Sequence, residues 1–195
     1  INGHVGWLDR FLDGLLARDW DLQWTCFMEP YRLSPAMINK VAAAGCTLVK
    51  YGVQHFDRGM LRTIGRGDEV SEVVSTLRRT ADHGIRVSFD IIPGHPNETE
   101  AAHAVNLRVL PEVLDSHDLL EVNINPFLLL YGSPIHLAPE RYGVSVEVWD
   151  ETLFPEALRG EFADLAPQFI RAYTQEPNRD VVIDRARQLE ALARR

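Results

Sequence analysis

The sequence predicts an α/β fold, a partial (β/α) TIM-like barrel of parallel strands with outer helices. Three observations predict it. Helix and strand patterns alternate along residues 5–125, the order of a parallel sheet linked by crossover helices. Three of the strands carry one apolar and one polar face. A doubly wound sheet buries both faces of its central strands and makes them nearly all apolar, so this alternation favours a curved sheet around a polar interior. Finally, the chain has 195 residues, whereas a complete eight-stranded barrel uses about 250.

Residues 5–18 form the first helix, since Val5, Leu8, Phe11, Leu12, Leu15 and Leu16 recur at helical spacing. Residues 21–29 are a strand that Pro30 interrupts. Ser34 followed by Pro35 starts a helix, with Met37, Ile38 and Val41 as its stripe and Gly45 as its stop. In the strand 47–54, Val49, Tyr51 and Val53 face one way and Lys50, Gly52 and Gln54 the other. Asp57 caps a short helix that Gly65 closes. A longer helix runs from about Asp68 to Gly84. In the strand 85–92, Val87 and Phe89 oppose Arg86, Ser88 and Asp90. Pro93-Gly94-His95-Pro96 is a turn, and Asn97 with Glu100 has capping-box spacing for a helix reaching Leu114, with Pro111 as a kink site. Residues 119–125 are the fourth strand, with Leu120, Val122 and Ile124 opposite Glu121, Asn123 and Asn125. Residues 126–143 are a long connection, and 156–173 and 181–194 read as helices. The division expected is 1–143 for the partial barrel and 144–195 for a helical C-terminal extension.

Composition narrows the function. A net charge of −8 argues against a phosphate-backbone binder, so no nucleic-acid partner is expected. No apolar run reaches the length of a membrane span, and residues 1–10 lack the pattern of a signal peptide. The two cysteines, Cys26 and Cys46, have no metal-ligand spacing. A cytoplasmic protein with reduced thiols is the expectation. The histidines at 4, 83, 103, 117 and 136 are scattered and expected on the surface or in loops. The four tryptophans, at 7, 20, 24 and 149, are expected to pack in the core or at its rim, and Cys26 to be buried.

In parallel α/β folds, active groups gather at the C-terminal ends of the strands. Those ends carry Glu29, Gln54, Asp90 and Asn125, and Arg66 follows the second of these strands. Two carboxylates, two amides and a guanidinium suit a ligand with hydroxyls, an amine and a carboxylate. The plain alternative is that these groups cap strands and bond neighbouring loop amides.

Four motifs go further. They are MEP at 28–30, YGVQHFD at 51–57, LRTIGRG at 61–67 and FDIIPGHPNET at 89–99. In order and spacing, residues 7–143 resemble the later half of a radical S-adenosylmethionine (SAM) enzyme. The run NPFLLLYGSPIHLAPERYG at 125–143 is similar to the stretch that closes the barrel in cobalamin-binding members. The resemblance implies that Glu29, Gln54 and Asp90 contact the ribose or aminoacyl end of SAM. It implies that Arg66 pairs with the SAM carboxylate, that Gly94 lies near the adenine, and that Asn125 is a further contact. His55 departs from the family's usual small serine and is expected to reshape the pocket rim. The family's C-x-x-x-C-x-x-C loop, which holds a [4Fe–4S] cluster, is absent from these 195 residues, as is the small-residue motif for the SAM amino group.

These observations lead to a SAM-binding half of a radical SAM enzyme that does not cleave SAM alone, the cluster and any cobalamin belonging to a longer protein. Its substrate would be a small molecule or a peptide. An open barrel also leaves strand edges that invite a homodimer. A second reading is a non-catalytic barrel-like module binding a nucleotide-like ligand or a protein partner. A third is an acid–base barrel enzyme using Glu29 and Asp90.

Overall fold

A computed structural model of the chain describes residues 2–18, 20–31, 33–67, 69–148, 152, 155–162 and 170–194. Helix α1 (Val5–Leu16) precedes strand β1 (Trp24–Met28), helix α2 (Pro35–Ala43) and strand β2 (Cys46–Gln54). Helices α3 (Arg58–Thr63) and α4 (Val70–Asp82) lead to β3 (Arg86–Ile91), α5 (Glu100–Leu114) and β4 (Leu120–Ile124). The four strands form one parallel sheet in the order β1-β2-β3-β4. This is the partial barrel that the sequence predicts, with each strand beside its neighbour in the chain.

Local chemistry explains the elements. Ser34, Asp57 and Thr99 each accept a hydrogen bond from a first-turn amide of α2, α3 and α5, satisfying donors that the helix itself leaves orphaned. Thr99 therefore caps α5, and the expected Asn97–Glu100 box does not form. Asn97 instead lies in the left-handed region at φ 65°, a conformation asparagine tolerates better than most residues. Gly45 ends α2 at φ 84°, where a Cβ would stand 2.0 Å from Leu22 O, so only glycine fits. The expected start of α4 at Asp68 lies outside the described residues.

The core lies on one face of the sheet. Val49, Val87, Phe89 and Ile91 are fully buried there against Leu77 of α4 and Leu110 of α5. Each such side chain contributes about 1.5–3 kcal/mol through removal of apolar area from water. Leu8 and Leu12 of α1 complete this layer. Two acidic residues of α1, Asp9 and Asp13, pair with Lys40 of α2.

The C-terminal part departs from an all-helical extension. After a short helix α6 (Pro134–Leu137), strands β5 (Ser145–Val148) and β6 (Ile170–Thr174) pair antiparallel. The helix expected over 156–173 is replaced at its start by a short turn and helix α7 (Arg159–Phe162) and at its end by β6. Its middle, 163–169, lies outside the described residues, as does Trp149. Helix α8 (Arg179–Ala193) agrees with the expectation and docks back on the barrel, with Val182, Ala186 and Leu189 buried. Trp7 and Trp20 are exposed, and Trp24 is half-buried with its indole N–H on Ala44 O at 2.6 Å. Cys26 is half-buried rather than buried. Among the described residues, no helix is long and apolar enough to cross a membrane.

Candidate functional site

The opposite face of the sheet carries the polar side chains. Tyr51 pairs in register with Met28 on one side and Phe89 on the other. Glu29, Gly52 and Asp90 are the next residues along these three strands, and Asp90 pairs with Asn123 of β4. The register shifts after Tyr51, so Gln54 pairs with Ile91, and Asn125 follows Ile124; both lie beyond Asp90 at the same end of the sheet. Of the six residues singled out in the sequence, Glu29, Gln54, Asp90 and Asn125 share this end, and Arg66 joins them from the loop after α3.

Each has a definable environment. Arg66 Nη1 lies 2.7 Å from Glu29 Oε2, with the guanidinium largely buried. The contact brings the charges together without an aligned N–H bond. A Cβ on Gly52 would stand 3.2 Å from Arg66 Nη2 and 3.9 Å from Glu29 Oε2, so glycine leaves the room that this pair occupies. Asn125 Nδ2 donates to Asp90 Oδ1 at 3.2 Å. Gln54 sits at φ 71°, a left-handed conformation for a residue with a Cβ, while its carbonyl accepts from the Ile92 amide at 2.9 Å. Such strain costs about 1–3 kcal/mol and clusters at ligand sites.

Gly94 stands apart from this set. It is buried beneath α8 at φ 86°, where an added Cβ would meet Val182 at 2.4 Å. Its amide donates to Glu98 Oε2 at 2.6 Å, and its carbonyl accepts from the Gln175 side chain. The turn is thus clamped from behind.

Glu98 is the centre of that clamp. Its side chain is fully buried and receives His55 Nε2 at 2.9 Å and Arg185 Nη1 at 3.0 Å, besides the Gly94 amide. The Asp57 amide donates to His55 Nδ1 at 2.7 Å, which leaves Nε2 to carry the proton shared with Glu98. Asn106 approaches the same nitrogen at 2.9 Å and accepts from the Phe56 amide at 2.8 Å. His55 therefore does not shape a pocket rim. It is fully buried and ties the end of β2 to the turn after β3. Burial alone would raise the Glu98 carboxyl's pKa, but the bonds from His55 and Gly94 outweigh it and hold it below the usual carboxylate range. His103, expected at the surface, is also buried and bonds Gln188 of α8 at 3.1 Å.

His95 was unmarked by sequence pattern. It is 5% exposed, neither ring nitrogen has a hydrogen-bond partner among the described residues, and its ring lies 5.5 Å from that of Phe127. Burial is the main cause that pushes its pKa down from 6.5 to about 4. The folded state thus resists a proton that the unfolded chain accepts. Stability is unaffected above the unfolded value and falls with pH through the interval between the two values. The shift corresponds to about 3 kcal/mol at about 1.36 kcal/mol per unit. His95→Leu is expected to remove that part of the acid destabilisation, read as a flatter urea-unfolding free energy between those pH values. An unchanged pH dependence would show that His95 is not held neutral.

The sequence profile described as the radical SAM superfamily matches residues 9–107. The chain belongs to the radical SAM superfamily. Proteins similar to it include the tRNA uridine(34) acetyltransferase of Methanocaldococcus infernus, 26% identical over 141 residues, which are 67% of this chain and 26% of that protein. The oxygen-independent coproporphyrinogen III oxidase of Helicobacter pylori is 27% identical over 81 residues, 41% of this chain and 18% of that one. The chain thus spans about a quarter or less of these curated relatives. In fold, it superposes on the radical SAM methyltransferase TsrM from Kitasatospora setae, solved with cobalamin and a [4Fe–4S] cluster. The TM-score is 0.67 at 18% identity, covering 94% of this chain and 40% of TsrM. Coproporphyrinogen III oxidase (HemN) from Escherichia coli, described as a radical SAM enzyme, gives 0.53 at 19% identity, covering 69% and 30%. The match to TsrM takes in most of the C-terminal part as well, where the HemN match covers less of the chain.

Proposed function

We propose that this chain is the SAM-binding half of a radical SAM enzyme, with SAM lying across the polar sheet face between Arg66 and Asp90. The observation that carries this reading is the convergence of Glu29, Arg66, Asp90 and Asn125 on one end of one face, beside a glycine whose missing side chain leaves room. An arginine can hold a carboxylate through two parallel N–H bonds, and Asp90 can accept from ribose hydroxyls. Gln54 and Asn125 add amide groups for the remaining polar atoms. The donor set therefore fits SAM. It does not fit the cluster, because thiolate ligation needs three converging cysteines and the chain has Cys26 and Cys46 alone.

Bound beside a reduced cluster, SAM supplies the radical chemistry of the superfamily. This chain's residues orient the SAM and keep water from it, and the cluster ligands lie in a longer protein. Cobalamin in that protein is supported by the run at 125–143. The substrate would be a small molecule or a peptide, met in the cytoplasm. Anaerobic reconstitution of these 195 residues, followed by iron and sulfide analysis, is expected to give no stoichiometric cluster. Four irons bound per chain would overturn this assignment of the ligands.

A further inference from the structure

A second cavity, of about 840 Å³, lies between the segment after β4, strand β6 and the first turns of α8. We propose that it binds a small organic anion, an aromatic or alkyl body ending in a carboxylate or other acidic group and carrying an N–H or O–H donor. As the place where a substrate would sit, it rests on the SAM reading above.

Three features define that ligand. The walls are apolar: Phe127, Leu129, Tyr173 and Ile183 line them. Phe127 and Tyr173 meet edge to face at 6.0 Å, and Tyr173 donates its hydroxyl to Phe127 O at 2.7 Å, so this wall is fixed. A preformed wall of rings suits an apolar body and spends little ordering entropy on binding.

Second, the mouth is positive. Arg179 is exposed at the first position of α8 and lines the cavity. There its charge adds to the positive end of the helix dipole, an unfavourable place for a cation and a favourable one for a bound anion. Asn178 already caps the amides of Asp180 and Val181, so the arginine, rather than the backbone, is the group left to meet the anion. Arg171, also in the lining, is held by Glu147 at 2.8 Å. Asp180 lines the mouth too and offsets part of the field.

Third, the wall holds a buried acceptor with nothing to accept. Gln175 is 9% exposed; its amide nitrogen is committed to Gly94 O, and Oε1 has no hydrogen-bond partner among the described residues. An unsatisfied buried acceptor is costly, and a ligand donor would relieve that cost. Gln175 also links the two places physically, because its partner Gly94 is the turn residue clamped by Glu98. The cavity wall begins at Pro126, directly after Asn125. A ligand here would lie beside the proposed SAM face.

The test uses the full-length protein and two fluorescent probes of nearly the same shape. One is 1-anilinonaphthalene-8-sulfonate, which is anionic; the other is N-phenyl-1-naphthylamine, which is neutral. Arg179→Gln is expected to weaken the sulfonate by about three- to fivefold, the upper part of the range of an exposed charge contact, and the neutral probe by less than about twofold. Ile183→Trp, which fills the cavity, should weaken both probes by about tenfold or more. Ala172→Trp does the same from an exposed strand position, where folding is not at risk. Unchanged affinity for both probes in both filled variants would overturn the proposal, as would equal loss of the two probes in Arg179→Gln. SAM affinity is measured on the same samples. Normal SAM binding without probe binding in the cavity defeats the cavity alone, and the reverse result defeats the SAM reading alone.

Discussion

Glu98→Ala is expected to destabilise the protein by about 3–5 kcal/mol, the cost of breaking a buried ion pair by removing one partner. Three groups lose their acceptor together: the Gly94 amide, His55 Nε2 and the Arg185 guanidinium. Arg185 is 4% exposed and would keep the backbone carbonyl of residue 98, which accepts from Nη1 at 2.9 Å, and Glu100, which pairs with its other terminal nitrogen at 2.7 Å. Urea unfolding of the variant reads the loss directly. A double variant that also carries Arg185→Met removes the stranded charge, so it should recover part of that loss, and the cycle measures the coupling. The pH dependence has a definite sign. Glu98's folded pKa lies below its unfolded value of 4.5, so its contribution is present above that value and is lost as pH falls through the folded pKa. A variant within about 0.5 kcal/mol of the parent, the range of ordinary surface substitutions, would show that Glu98 is not the clamp.

The second large effect concerns binding. Arg66→Lys and Asp90→Ala, each in the full-length protein, are expected to weaken SAM binding by about tenfold or more. A shielded two-point ion pair with the aminoacyl carboxylate contributes about 1.5–3 kcal/mol, and about 1.4 kcal/mol is one decade. Lysine keeps the charge but loses the planar fork, so the change isolates geometry from charge. Asp90→Ala removes the acceptor for ribose hydroxyls and leaves Asn125 Nδ2 without its partner. Calorimetric titration decides. Unchanged affinity in both folded variants would mean that these residues serve only the strand ends.

The parallel sheet and its polar face were legible because period two runs clearly through Val49–Tyr51–Val53 and Val87–Phe89. Motif spacing then marked Glu29, Gln54, Arg66 and Asp90, and register brought them to one end of the sheet. The clamp was less legible. Glu98 lies inside the FDIIPGHPNET motif, yet its partners His55 and Arg185 come from two distant parts of the chain, and no local pattern joins them. His95 was invisible for the same reason, since burial is a property of the assembled fold. The strand β5 had a signal that the helix expectation beyond it obscured: Val144, Val146 and Val148 alternate with Ser145 and Glu147. Strand β6 is short, and its Ile170 and Tyr173 do not share one period-two face, so pairing with β5 decides its conformation.

Hydrogen–deuterium exchange of the full-length protein with and without SAM locates the SAM site. Slowed exchange is expected at the ends of β2, β3 and β4 and in the 65–67 loop, with α4 unchanged. Protection confined to the outer groove between α2 and α4, where Ser34, Ser71 and Arg79 line a separate cleft, with the strand ends exchanging as before, would contradict it.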